Sequence, residues 1–244
     1  MTNKKAVVIE PHNDDLVIGI GGTVLQLISN GWDVTSVVIS DGRYGNDENH
    51  TPEEIVSVRA AEKQAEREFI GVAGGCLGIP DLNLEERYQV PQHRETILEQ
   101  LKEYLPTESD FVLFLPAGGE AHPDHQATYK FAQDLVLNAE ASVTEVHYVV
   151  WEVPFYPERS ESPGSVLTVG IDDEFERKTE AIKLHESQEK KQRYTMMVKR
   201  FNQYLSELYS HPEEHVEMVC VRGNKEQLLE SLRSTIVTHR YHDV

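Results

Sequence analysis

Short aliphatic and β-branched runs alternate with helix-period segments from residue 6 to residue 151, and that order permits few folds. Residues 6–10 form a compact apolar run, the pattern of a strand buried on both faces. In residues 16–30 the side chains Leu16, Ile20, Val24, Leu27 and Ile28 share one side of a helix, and Gly31 ends it. Residues 34–40 are a β-branched second strand. Thr51-Pro52-Glu53-Glu54 supplies an N-cap, a first-turn proline and two first-turn acids, opening a helix that runs to about residue 69, ahead of Gly71. Residues 75–79 read as a third strand, with a turn at Pro80-Asp81. Further along come a helix over 94–105, a strand over 111–115, a helix over 123–137 and a fifth strand over 145–151. The fold class this order implies is α/β, a Rossmann-like, mostly parallel sheet with helices on both faces.

Beyond residue 151 the pattern loosens. Pro154, Pro157 and Pro163 break up a loop-rich stretch. A strand over 166–171, a helical region opened by Asp172 and reaching Lys191, a helix over 196–209 and a last strand over 216–221 are expected. A single domain is therefore expected over 1–244, with a less regular, loop- and helix-rich part from about residue 152.

The formal net charge of −19 argues against nonspecific binding to nucleic acid or an anionic membrane. No apolar run approaches the length of a membrane span or a signal-peptide core. Cys76 and Cys220 lie far apart with no paired spacing, so two buried, inert thiols and a reducing, cytoplasmic setting are expected.

Two runs carry chemistry: Glu10-Pro11-His12-Asn13-Asp14-Asp15 and Ala121-His122-Pro123-Asp124-His125. Each follows an expected strand. Ligands in open α/β sheets bind outside the carboxyl ends of strands, so both runs, the Asp41 loop and the Asp81 turn can line one crevice. His12 and Asp15 are three apart at a strand-to-helix turn, and His122 and His125 repeat that spacing. His12, Asp15 and one histidine of the second run give three ligands and an open position, the pattern of a catalytic zinc site. Zinc lowers the pKa of its water to about 7. Asp14 can then take a proton, and the remaining histidine can polarise a carbonyl or protonate a leaving amine.

Each run alone has a plainer explanation, since an Asp-Asp pair before a helix often only caps it and histidines at strand ends often only make hydrogen bonds. The pair of runs at one sheet edge favours function. His211 and His215 flank Pro212 and two glutamates, which reads as an exposed acidic turn; the helical zinc-protease motif needs a glutamate where Pro212 stands. His50, His93 and His147 read as surface or structural.

These residues resemble the signatures of the LmbE/PIG-L family of zinc-dependent N-acetylglucosaminyl deacetylases. That family includes the deacetylases of mycothiol, bacillithiol and glycosylphosphatidylinositol synthesis and the diacetylchitobiose deacetylases. Its Pro/Ala-His-Pro-Asp-Asp-Glu signature, followed by Gly-Gly-Thr, stands here as Pro11-His12-Asn13-Asp14-Asp15-Leu16 and Gly21-Gly22-Thr23. Its His-Pro-Asp-His signature is intact from His122 to His125. Ser40-Asp41-Gly42 and the blocks 59–62, 78–81, 178–181 and 185–188 are also similar, so the likeness spans roughly residues 6 to 195.

The resemblance implies that His12, Asp15 and His125 hold the metal and that Asp14 is the general base. It implies that His122 stabilises the oxyanion and acts as acid while Asp124 orients a neighbouring imidazole. Arg59 and Asp81 would contact substrate, and His185 would border the pocket. Asn13 and Leu16 stand where the family has proline and glutamate, which leaves ligands and base in place and alters the surrounding loop. The implied cofactor is Zn2+, with Fe2+ able to take the same donors. The implied partners are an N-acetylated amino sugar or its glycoside and further copies of the chain, as a trimer or hexamer. Residues 44–49 and 153–164 are the candidate loops for the rest of the substrate.

The expected reaction is hydrolysis of an acetamide, releasing acetate and a free amine. Three rivals share parts of the pattern. A non-haem iron(II) enzyme uses two histidines and a carboxylate, but leaves Asp14 and His122 without a role. A dinucleotide-binding module is suggested by Gly19-Ile20-Gly21-Gly22, but its last glycine position is Val24. A catalytically silent metal-binding relative is the third, motivated by Asn13 and Leu16.

Overall fold

The computed structural model describes residues 4–45, 50–107, 109–139, 141–151, 165–222, 230, 232, 234–236 and 238–240. The first half alternates strand and helix: β1 (Lys5–Glu10), α1 (Asp15–Ser29), β2 (Asp33–Ser40), α2 (Pro52–Ile70), β3 (Ala73–Ile79), α3 (Leu84–Gln89), α4 (Pro91–Lys102), β4 (Phe111–Pro116), α5 (Pro123–Leu137) and β5 (Val143–Tyr148). The second half contains β6 (Ser165–Gly170), α6 (Asp172–Lys183), α7 (Glu186–Gln192), α8 (Tyr194–Leu208), β7 (Val216–Arg222) and β8 (Thr238–Arg240).

One eight-stranded sheet runs in the order β3-β2-β1-β4-β5-β7-β6-β8. The first five strands in that order are mutually parallel, and each later pairing is antiparallel. Strand order reverses between β1 and β4, and the crevice outside their carboxyl ends is the place where such sheets bind ligands.

Both faces of the central strands are covered. Val7 and Ile9 of β1 pack with Leu113, Leu115 and Phe131 on one face, while Ala6 and Val8 pack with Val112, Phe114 and Leu16 on the other. Burial of each such side chain stabilises the fold by about 1.5–3 kcal/mol. This double burial explains why β1 and β4 are continuous apolar runs rather than alternating ones.

Helix α1 bends at Ile20, whose φ of −137° and ψ of 23° are not helical. The bend exposes the amides of Gly22 and Thr23, and the buried Glu217 carboxylate of β7 accepts both, at 2.8 and 2.7 Å. The same carboxylate accepts from the Thr23 hydroxyl at 2.7 Å and from Lys178 Nζ at 2.7 Å. Position 22 must be small: a Cβ there would lie 2.6 Å from Cγ2 of Ile171.

Helix α2 begins with the expected Thr51 N-cap, closed into a reciprocal capping box with Glu54, and ends on Gly71 at φ +87°. Between Ile55 and Ile70 its buried face is charged, carrying Arg59, Lys63, Glu66 and Arg67. Lys63 Nζ sits 2.7 Å from Glu10 Oε2 and 2.8 Å from Glu66 Oε1. Burial works against the Lys63 charge, and the two carboxylates outweigh it and hold the ammonium above its usual range.

Several expectations need correction. The single helical region reaching Lys191 is two helices, because the chain turns at Leu184-His185; Arg193, at φ +54°, then separates α7 from α8. Helix α3 and strand β8 were not expected. The fifth strand stops at Tyr148. Cys76, on the edge strand β3, is exposed, while Cys220 is buried. The turn at Pro212 and Glu214 is exposed as expected, but the His211 and His215 rings beside it are buried. His147 is buried against Glu145, hence structural rather than surface. Of the two candidate substrate loops, residues 46–49 and 153–164 lie outside the described residues. Among the described residues, no helix is long and apolar enough to cross a membrane.

Candidate metal and catalytic centre

The two motifs meet at the switch point. β1 ends at Glu10 and delivers His12, Asp14 and Asp15 to the turn into α1; β4 ends at Pro116 and delivers His122, Asp124 and His125 to the start of α5. The three imidazoles surround one point, with ring centroids 4.8 Å (His12–His122), 5.4 Å (His12–His125) and 5.1 Å (His122–His125) apart. One donor atom from each lies within 4.8 Å of the other two, and a second such group joins His12 to Asp81 and Asp124.

The donors have a definite polarity. Asp15 Oδ2 lies 3.2 Å from His12 Nδ1 and 3.4 Å from His125 Nε2. Tetrahedral donors about 2.0–2.1 Å from an ion stand roughly 3.3–3.4 Å apart. Two of the three donor pairs among His12, Asp15 and His125 have this spacing. The opposite ring nitrogens face carboxylates: His12 Nε2 is 3.1 Å from Asp81 Oδ1 and 3.4 Å from Asp124 Oδ2, and His125 Nδ1 bonds Glu120. Metal-ligating histidines are backed in this way, since the far-side acceptor fixes which nitrogen carries the proton. A His/Asp site able to hold a divalent metal is thus present, and its donors fit.

The same contacts set the charges in the metal-free site. Burial works against a charged His12, but hydrogen bonds to Asp124, Asp15 and Asp81 outweigh it and hold the imidazole well above its usual range. Against burial, Asp15 and Glu120 push His125 up to about 9. Burial alone would raise Asp15, yet the two histidines hold it well below the carboxylate range. His122 goes the other way. Partial desolvation of this exposed ring and the neighbouring His12 and His125 pull it below the usual imidazole value.

Asp14 is 4% exposed and uses only half of its carboxylate. Oδ1 accepts from Arg59 Nη2 at 3.0 Å, while Oδ2 is buried with no hydrogen-bond partner. Arg59 also donates to the Gly42 carbonyl at 3.2 Å. His122 caps α5: its Nδ1 accepts the Asp124 amide at 3.3 Å. In the neutral ring the proton then sits on Nε2. Asp124 is fully buried, its oxygens accepting the Leu82 amide at 2.7 Å and the Leu84 amide at 3.3 Å.

Of the residues singled out from sequence, His12, Asp14, Asp15, Arg59, Asp81, His122, Asp124 and His125 converge here. His185 does not join them. It is fully buried, and its Nε2 meets Glu66 Oε2 at 2.6 Å, bracing the helix that carries Arg59. Leu16 places its side chain in the core, and its amide is bound by Glu10 Oε2 at 3.0 Å. The Asn13 amide reaches the Arg59 carbonyl at 3.4 Å. Glu120, missed from sequence, is 3% exposed and bonds both His125 and the Val150 amide. Its place two residues before His122 in the loop after β4 was the available signal.

The profile of the PIG-L family, described as GlcNAc-PI de-N-acetylase, matches residues 7–136, which include both motifs. The chain belongs to the PIG-L family. It is 28% identical over 202 residues to the diacetylchitobiose deacetylase of Thermococcus kodakarensis, covering 76% of this chain and 70% of that protein. It is also 28% identical over 222 residues to the 1D-myo-inositol 2-acetamido-2-deoxy-alpha-D-glucopyranoside deacetylase of Corynebacterium diphtheriae, covering 75% of this chain and 76% of that one. Among solved structures, the N,N'-diacetylchitobiose deacetylase of Pyrococcus horikoshii superposes with a TM-score of 0.68 at 24% identity, covering 91% of this chain and 84% of that one. That superposition carries the expected α/β fold.

Proposed function

We propose that this PIG-L protein is a zinc-dependent hydrolase that removes the acetyl group from an N-acetylated amino sugar or its glycoside. The observation that carries the reading is the shared Asp15 oxygen between His12 Nδ1 and His125 Nε2, beside the unpartnered Oδ2 of Asp14. In this reading His12, Asp15 and His125 hold the metal. A divalent ion bound there supplies Lewis acidity, bringing the pKa of its water to about 7.

The chain's own residues do the rest. Asp14 is oriented through Oδ1 by Arg59, so Oδ2 is the atom that takes a proton from the attacking water as the new C–O bond forms. His122, whose Nδ1 accepts the Asp124 amide, donates a hydrogen bond from Nε2 to the developing oxyanion. When the C–N bond breaks, the proton held on Asp14 Oδ2 passes to the nitrogen. Acetate and a free amine leave. The acid step goes to Asp14 here because its Oδ2 already holds the proton taken from the water; the resemblance implies the alternative, His122, as the acid. Asp124 and Asp81 fix His12. Arg59 and Asp81 border the cleft, where their remaining polar edges can meet substrate hydroxyls.

Acetate release from a panel of N-acetylglucosamine derivatives, run with zinc-loaded and metal-stripped protein, tests the proposal. Release confined to the loaded protein is expected. Iron(II)-dependent oxygen uptake without acetate release would overturn it. Light scattering tests the accompanying expectation that copies of the 1–244 domain assemble as a trimer or hexamer.

A further inference from the structure

The Glu120 carboxylate takes no part in the reaction steps proposed above. Its environment is specific. Glu120 follows β4 on the loop to α5, and its backbone is fixed there by its own amide on the Ala117 carbonyl (3.4 Å) and by Gln126 Nε2 on its carbonyl (3.0 Å). Its two oxygens have different partners. Oε1 accepts the Val150 amide at 2.7 Å, and Oε2 meets His125 Nδ1.

We propose that Glu120 is a positioning residue that sets the tautomer of His125. This rests on the assignment of His125 as a metal-holding residue. A carboxylate can only accept, so the proton between Glu120 and His125 belongs to Nδ1. The Nε2 lone pair is then left facing Asp15, where an ion must find it. The arrangement matches that of His12, whose Nε2 faces Asp81 and Asp124. Each histidine has its own acidic backing, and Glu120 supplies the second.

The Val150 amide makes the Glu120→Gln variant informative. That amide is a donor, so the glutamine must turn its carbonyl oxygen toward Val150. Its NH2 group then faces His125 Nδ1. A donor at that place favours the opposite tautomer, with the proton on Nε2 and the lone pair turned away from the ion. The Val150 contact and the side-chain volume are retained, so the fold is kept.

Three readouts test this. Long-range proton–nitrogen NMR on the native protein, stripped of metal at a pH where His125 is neutral, should show the Nδ1–H tautomer. In Glu120→Gln the tautomer should invert, zinc affinity measured against a competing chelator should fall by about 10–100-fold, and the visible spectrum of the cobalt-substituted protein should change. Glu120→Asp should recover part of the affinity. An Nε2–H tautomer in the native protein overturns the proposal and needs no variant. So does a Glu120→Gln protein with native zinc affinity and cobalt spectrum. If the native protein itself binds neither zinc nor cobalt, the metal assignment beneath it fails instead. A melting temperature that falls with no change in tautomer or affinity would mark Glu120 as merely structural and refute the role.

Discussion

Replacing Asp14 with asparagine separates proton transfer from metal binding. The guanidinium of Arg59 can only donate, and it holds one oxygen of residue 14 at 3.0 Å. The asparagine must therefore keep its carbonyl oxygen toward Arg59 and place its NH2 where Oδ2 stood. The atom that should receive a proton becomes one that offers two. General-base catalysis contributes about 10²–10⁴-fold, so kcat should fall by that factor, equivalent to about 3–5.5 kcal/mol in the barrier. The charge pair with Arg59 is also lost, and breaking a buried pair costs at most about 3–5 kcal/mol. At about 2–4 °C per kcal/mol for a chain of this size, the melting temperature should drop by no more than roughly 6–20 °C. Turnover must therefore be measured well below the melt, beside metal content. A purified Asp14→Asn protein with full metal and kcat within a few-fold of native would refute the assignment of the base.

Other predictions follow from the same geometry. His122→Ala should lower kcat by about 10²–10³-fold, the loss seen when an oxyanion donor is removed, with metal content unchanged by elemental analysis. Lys178→Met leaves Glu217 buried without its ammonium and should destabilise the fold by about 3–5 kcal/mol in urea titrations. Gly22→Ala drives a methyl into Ile171 and should cost about 1–3 kcal/mol in the same assay. Asp172 gives a pH signature. Partial burial works to raise its carboxyl, but the Glu214 and His215 amides and the His215 ring outweigh it and hold it below its ordinary value of 3.8. A carboxyl lowered in the folded state stabilises above its unfolded value, and the gain disappears as pH falls through the folded value. The stability gap between native and Asp172→Asn proteins, from urea midpoints, should thus be flat above about pH 5 and close below the ordinary carboxyl range; a gap that widens on acidification would contradict this.

Where local chemistry decides structure, the sequence was readable. The β-branched run of β2, the Thr51 cap of α2 and the proline that opens α5 each define their element without help from distant residues. His12, Asp15, His122 and His125 were visible because two compact motifs sit at strand ends, where the topology of a parallel sheet brings them together. What was hidden depends on long-range partners. The apolar period of α1 runs straight through Ile20, and the bend there is stabilised by Glu217, 195 positions beyond Gly22. Arg59, Lys63 and Glu66 form a charged stripe that resembles a solvated helix face, yet it is buried because Glu10, Asp14 and His185 meet it from other elements. The break at Leu184-His185 has no proline or glycine to announce it. Glu120 stayed unnoticed because what sets it apart from any loop glutamate is its contact with His125 and the Val150 amide, which only the fold supplies.

In the proposed site His12, Asp15 and His125 hold one divalent ion beside a free carboxylate oxygen of Asp14. Zinc-edge anomalous diffraction from zinc-loaded crystals tests it most directly. A single strong peak is expected within bonding distance of His12 Nδ1, Asp15 Oδ2 and His125 Nε2, with Asp14 outside the coordination shell. A peak bound elsewhere, or none at this cluster in protein that carries zinc, would contradict it.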